Sequence, residues 1–179
     1  MIPSVYPRGP LVVVAGMLAG VPPAGASLLV AQYEPAIEAA CAAFSAGRRR
    51  RLAAIVCSLR SADTAQVLAG ARRHGLEARA EWCLALPYAS TARAVAHLLC
   101  TGRPGERPDC LLLLADGFAA EVRAGIADAG LRVPADMQLM VQVGDPAALL
   151  AAAVGEVRRL AAGGRPGLVS LPVAIAAAG

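Results

Sequence analysis

From residue 28 onward, short apolar runs alternate with Ala-rich stretches whose apolar residues recur at helical spacing. Ser27 to Val30 reads as a strand. Glu34 to Ala46 sets Ile37, Ala40, Cys41 and Phe44 on one helical face, and Gly47 ends that helix. Leu52 to Cys57 is wholly apolar, the pattern of a strand buried on both faces. Ser61 or Asp63 can cap a helix running through His74, with Gly75 at its end. Glu77 to Leu86 is the next strand; Pro87 breaks it, and Ser90 is placed to cap a helix to Cys100. Residues 101–108, TGRPGERP, form a loop by their Pro and Gly content. Cys110 to Leu114 reads as a strand, followed by a helix from Gly117 to Ala129 closed by Gly130. Met137 to Val143 is a strand, Pro146 suits the first turn of a helix to Ala161, and Leu168 to Val173 is a final strand. Strands alternating with helices of this length imply right-handed crossovers. The expected fold class is α/β, an open parallel sheet with helices on both faces.

Composition narrows the chemistry. A chain of 179 residues can bury the core of one ordinary domain without disulfide or metal. With 57% hydrophobic and 17% charged residues it is no disordered segment, and only 3% aromatic residues leave the core to Ala, Val and Leu. All 17 basic residues are Arg, and Lys and Asn are absent. That excludes a P-loop lysine, a Schiff-base lysine and N-glycosylation. It also fits a coding bias away from A-rich codons.

The net charge of +4 is mild, and the run Arg48 to Arg51 reads as a solvated helix end or loop. No aromatic residue interleaves it, so nucleic-acid contact by this chain itself is not expected. Cys41, Cys57, Cys83, Cys100 and Cys110 show no CxxC and no zinc spacing. They imply a reduced, cytoplasmic protein without a metal or cofactor. The first 26 residues, with apolar LVVVAGMLAGV and then Ala24-Gly25-Ala26, present a competing pattern, that of an export signal, although the apolar run is too short to span a membrane.

GxGxxG, Walker A and GxSxG are absent, and neither His74 nor His97 belongs to an HExxH. His97 and Cys100 lie three apart on one predicted helix, which leaves a Cys–His pair as an alternative, although nucleophile and base usually come from different elements. Asp109 and Asp116 mark the two ends of one strand. Asp116 stands at the carboxyl end, where open α/β sheets bind ligands, and it is equally placed to cap the next helix.

Residues 108–140 resemble the effector domain of the lactose-repressor/galactose-repressor (LacI/GalR) family. Asp116, Ala119, Ile126, Gly130, Leu131, Val133, Pro134 and Asp136 fall in register with its strand, helix and Gly-Leu-x-Val-Pro-x-Asp pattern. Ile2-Pro3-Ser4-Val5 followed by Pro7-Arg8 resembles the family's Ile-Pro-x-Val strand before Asp-Arg. Gly47 to Ile55 is similar to its arginine-bearing turn into a strand, and Leu68-Ala69-Gly70 to its Arg-x-x-Gly helix. Ala148 to Gly163 with Leu171-Pro172 resembles its closing helix and strand.

The resemblance implies one effector-binding-like domain over 1–179, of the periplasmic-binding-protein type I kind and mostly its C-terminal lobe. Residues 1–30 would be a remnant of the N-terminal lobe, 31–144 the C-terminal lobe, and 145–179 the closing helix and strand. It implies a non-catalytic, ligand-sensing and dimerising domain, with DNA contacted only through a segment absent from this chain. The implied ligand positions are Asp116, Gln142, Val67, Ala115 and Val143. Of these only Asp116 keeps the family's residue: Val67 replaces Arg, Ala115 replaces Asn, and Val141-Gln142-Val143-Gly144 stands for Gly-Phe-Asp-Asp. Each lost polar group costs a family-type sugar about 1–3 kcal/mol. The ligand is therefore a small molecule, sugar-like or other. Residues 1–30 and the helix from Pro146 would pack on lobe elements that this chain lacks, which implies an oligomer, a homodimer first. The alternatives are an exported solute-binding protein of the same fold and a small enzyme using Cys100 and His97.

Overall fold

The computed structural model describes residues 11–15, 26–56 and 61–178. The chain divides into two compact units, one of residues 1–32 with 145–172 and one of residues 33–144 with 173–179.

The larger unit follows the predicted alternation. Helix α1 (Glu34–Ala46) leads to strand β3 (Arg51–Val56), helix α2 (Ser61–Arg73) and strand β4 (Glu77–Ala85). Helix α3 (Ala89–Cys100), strand β5 (Cys110–Leu114), helix α4 (Ala119–Asp128) and strand β6 (Gln138–Val143) follow, and strand β8 (Ala174–Ala177) closes the sheet. The strand order is β4-β3-β5-β6-β8. All neighbours are parallel except β8, which runs against β6.

Period-two alternation explains the two cores. Leu52, Ala54, Cys110, Leu112 and Met140 face α1 and α2, where Ile37, Phe44 and Val67 are fully or almost fully buried. Ala53, Ile55, Leu111, Leu113 and Leu139 face α3 and α4 and meet Ala96, Val122 and Ile126. Every residue of β5 is buried, and each of its leucines contributes about 1.5–3 kcal/mol by leaving water. Two glycines let helices approach closely. A Cβ on Gly70 would lie 2.8 Å from Ile37 Cγ2 on α1, and one on Gly125 would lie 2.2 Å from the Arg93 carbonyl oxygen on α3.

In the smaller unit, β1 (Leu11–Ala15), β2 (Ala26–Gln32) and β7 (Leu168–Pro172) form a parallel sheet in the order β1-β2-β7, beside helix α5 (Pro146–Ala161). Its interior is polar at one point. Buried Ser27 donates from Oγ to Glu156 and accepts from the Gly167 N–H at 3.1 Å. Arg159 grips the same carboxylate in a fork at 2.7 and 2.5 Å and donates to the Arg165 carbonyl at 2.7 Å. These charge-assisted bonds hold the Glu156 carboxyl well below its usual range, at about 2.

The expected fold class stands, with local corrections. The strands form two sheets rather than one, and the predicted last strand is followed by a separate antiparallel strand, β8, across the break at Val173. The helix expected from Gly117 starts instead as a short 3-10 turn, Asp116–Phe118, and Phe118 rather than Asp116 precedes α4 as its N-cap. Ser90 is not a cap either: α3 starts at Ala89 with Tyr88 before it, and no side chain caps it. The arginine run is the expected loop after α1, with Arg48 and Arg50 exposed, but it is tied down by hydrogen bonds. The Asp109 carboxylate accepts from the Arg50 and Arg51 N–H groups at 2.8–3.2 Å, while Arg49 donates to the Pro134 carbonyl at 2.6 Å and Arg51 Nε to the Arg107 carbonyl at 2.5 Å. Of the export-signal pattern, residues 11–15 are strand β1, Ala26 opens strand β2, and the remainder lies outside the described residues, as does Cys57. Among the described residues no helix is long and apolar enough to cross a membrane.

Candidate functional site

A doubly wound sheet opens a crevice where its winding reverses. Here β3 connects through α2 to β4 on one side, and β4 connects through α3 back past β3 to β5 on the other. The helices therefore leave β3 and β5 on opposite faces, and the winding reverses between their carboxyl ends. Register aligns those ends: Val56 pairs with Leu114, and Leu113 with Val141. Ala115 and Asp116 at the end of β5 thus share one edge with Gln142 and Val143 at the end of β6. Residues 57–60, which follow β3, lie outside the described residues.

This edge is mostly apolar. Val56, Leu114 and Ala115 are buried, whereas Val143 is 47% exposed and Gln142 half-buried. Alternation from Met140 puts Gln142 on the face of α1 and α2, and Val143 on the opposite face. Asp116 opens the 3-10 turn, in which the Phe118 N–H bonds the Ala115 carbonyl at 3.1 Å. Val67 stands apart from the other four, fully buried inside the packing of α2 on the sheet.

The Cys–His alternative rests on a buried thiol. Cys100 is 1% exposed and burial pushes its thiol up to about 11, so it holds its proton at neutral pH. His97 Nδ1 is buried without a hydrogen-bond partner. Burial likewise raises Cys41 to about 12 and Cys83 to about 11. Among the described residues no group of three or more His, Cys, Asp or Glu could hold a metal.

A concavity elsewhere in the larger unit was not foreseen from the sequence. Arg79, Ala80, Glu81 and Trp82 of β4 bulge opposite the single residue Ala53 of β3. The bulge turns Trp82 and Leu84 toward Leu98 and Leu99 of α3, leaving a groove of about 440 Å³ that Arg107 and Pro108 close. The Arg79 guanidinium lies 4.4 Å from the Trp82 ring centre and pairs with Glu77. The signal in the sequence was the chain's single Trp within a predicted strand, three residues from an Arg.

No protein-family profile matches the chain, and no curated protein matches it in sequence. Solved structures do match its fold. A LacI transcriptional regulator from a Rhodococcus species has a TM-score of 0.74 at 20% identity over 93% of this chain and 67% of its own. A LacI-family transcriptional regulator from Arthrobacter sp. FB24, in complex with lactose, has a TM-score of 0.73 at 19% identity, covering 93% and 69%. A LacI-family regulator from Clostridium acetobutylicum has a TM-score of 0.71 at 13% identity, covering 93% and 68%. The chain accordingly has the periplasmic-binding-protein-like α/β fold of the LacI-family transcriptional regulators.

Proposed function

We propose that the chain is the ligand-sensing and dimerisation domain of a LacI-type transcriptional regulator, working in the cytoplasm and catalysing no reaction. The observation that carries this reading is the winding reversal between β3 and β5, which sets Asp116 at the end of β5 beside the half-buried Gln142 at the end of β6. The larger unit is the sensing lobe, corresponding to the C-terminal lobe of such domains. The smaller unit holds the remnant of the other lobe with the closing helix and strand. Contact with DNA belongs, in this reading, to other parts of such a regulator.

The effector is a small molecule held by Asp116 and Gln142, with Ala115 and Val143 as apolar walls and Val67 supporting the floor from within the core. Apolar residues at Val67, Ala115 and Val143 leave a hydroxyl-rich ligand without partners, so the reading favours a less hydroxylated molecule than a sugar. The homodimer uses helix and strand edges of the larger unit, where Leu98 is 67% and Tyr88 is 68% exposed.

A thermal-shift panel of lactose, ribose, deoxy sugars and small organic acids tests the cleft. At least one compound is expected to raise the melting temperature, and Asp116→Ala to abolish that rise with unchanged circular dichroism. A rise that survives Asp116→Ala sinks the cleft assignment.

A further inference from the structure

Helix α5 carries apolar residues on two faces: Leu149, Ala152, Ala153 and Leu160 are half-buried, and a second stripe is left in solvent. The residue it buries is Glu156, gripped by Ser27 and Arg159, while Leu150, Val154 and Val157 are 64%, 40% and 37% exposed. Ala147, Leu150, Val154, Val157 and Ala161 follow a three–four–three–four spacing, which is the a/d seam of a coiled coil. Of these, Ala147 and Ala161 are exposed too, so the whole seam faces solvent. A surface helix ordinarily turns such a stripe inward.

The seam is complementary to itself. In an antiparallel pair, Ala147 meets Val157 of the other copy and Leu150 meets Val154, and the two-fold axis repeats both layers. The same register brings Arg158 of each copy to the start of the other copy's helix. Arg158 is exposed and has no partner among the described residues. The acid at that start is Asp145, the exposed N-cap, whose Oδ1 accepts from the Ala148 N–H at 2.9 Å. Apolar layers and opposite charges thus select one alignment, and an alignment that repeats under a two-fold closes after two chains.

We propose that the exposed seam of α5 is a docking surface for α5 of a second copy of this chain, paired antiparallel. This surface belongs to the smaller unit and is separate from the edges of the larger unit invoked for the dimer above, so each can be removed without the other.

Sedimentation equilibrium of the full chain over a range of concentrations tests it. The wild type is expected to self-associate reversibly. Val154→Glu weakens that association by about a hundredfold, because the carboxylate must desolvate against valine and leucine. Arg158→Glu weakens it roughly three- to tenfold and inverts the response to salt, since like charges then face each other. Both positions are exposed, and unchanged circular dichroism confirms that the variants fold. A monomeric wild type overturns the proposal. Association unaffected by Val154→Glu overturns the α5 surface and leaves the dimer of the larger unit standing. Weakening by Val154→Glu with none by Arg158→Glu overturns the antiparallel register.

Discussion

A single carboxylate organises the turn that feeds β3. Asp109 is part-buried and accepts from the backbone N–H groups of Arg50 and Arg51, with the Arg51 guanidinium 3.5 Å away. The first N–H groups of an inner strand would otherwise lack partners, and the cost of leaving each unmade exceeds the net value of a made bond. Asp109→Ala is expected to destabilise the protein by about 1–3 kcal/mol, read as a lower urea midpoint with an unchanged slope. Sequence placed Asp109 correctly at one end of β5, but not its role. The acceptor and its donors are nearly sixty residues apart in the chain, and only the pairing of β3 with β5 brings them together.

At the scale of elements, burial decided what was legible. The strands of the larger unit that are buried on both faces carry uninterrupted apolar runs, and β5 has the predicted bounds, Cys110 to Leu114. Helix α5 also has its predicted bounds, because Pro146 can only open a helix and the acid before it can cap one. β8 was not legible. Its four residues, AIAA, carry no alternation and lie next to the predicted final strand. Nor could periodicity say that the chain makes two sheets, since pairing is a tertiary choice. The candidate cleft was half legible: a strand-end acid in a parallel sheet marks Asp116, but nothing local distinguishes Val67 as a core residue from Val67 as a wall. The contact of α3 with α4 is likewise invisible locally. Gly125 lies where a Cβ would meet a backbone carbonyl, which cannot give way as a side-chain tip can. Gly125→Ala is therefore expected to destabilise by about 1–3 kcal/mol, despite the better helix propensity of Ala, as measured by chemical denaturation.

At the scale of the molecule, the two units rest on different forces. The larger has an apolar core on each face of its sheet, whereas the smaller leans on the Ser27–Glu156–Arg159 cluster. The Glu156 carboxyl titrates near 2 in the folded protein against an ordinary 4.5. Its stabilising share is thus complete above about pH 4.5 and is lost as pH falls toward 2. Hydrogen exchange at falling pH should show α5 and β2 losing protection across this window while β3 and β5 keep theirs. Glu156→Gln should remove the pH dependence and lower the protection of α5 already at pH 7. Equal loss in both units would contradict the division of forces.

The bulge in β4 reaches beyond the groove it opens. An outermost strand of nine residues is ordinarily a template on which further chains polymerise through their backbones. Four residues thrown out against one break the rhythm of donors and acceptors midway along that template, and an incoming strand finds no continuous row to copy. Contacts made at this margin must then rely on side chains, whose shapes match a chosen partner and no other. Assembly there stays countable, and the distortion guards a protein so rich in Val, Leu and Ala against fibres.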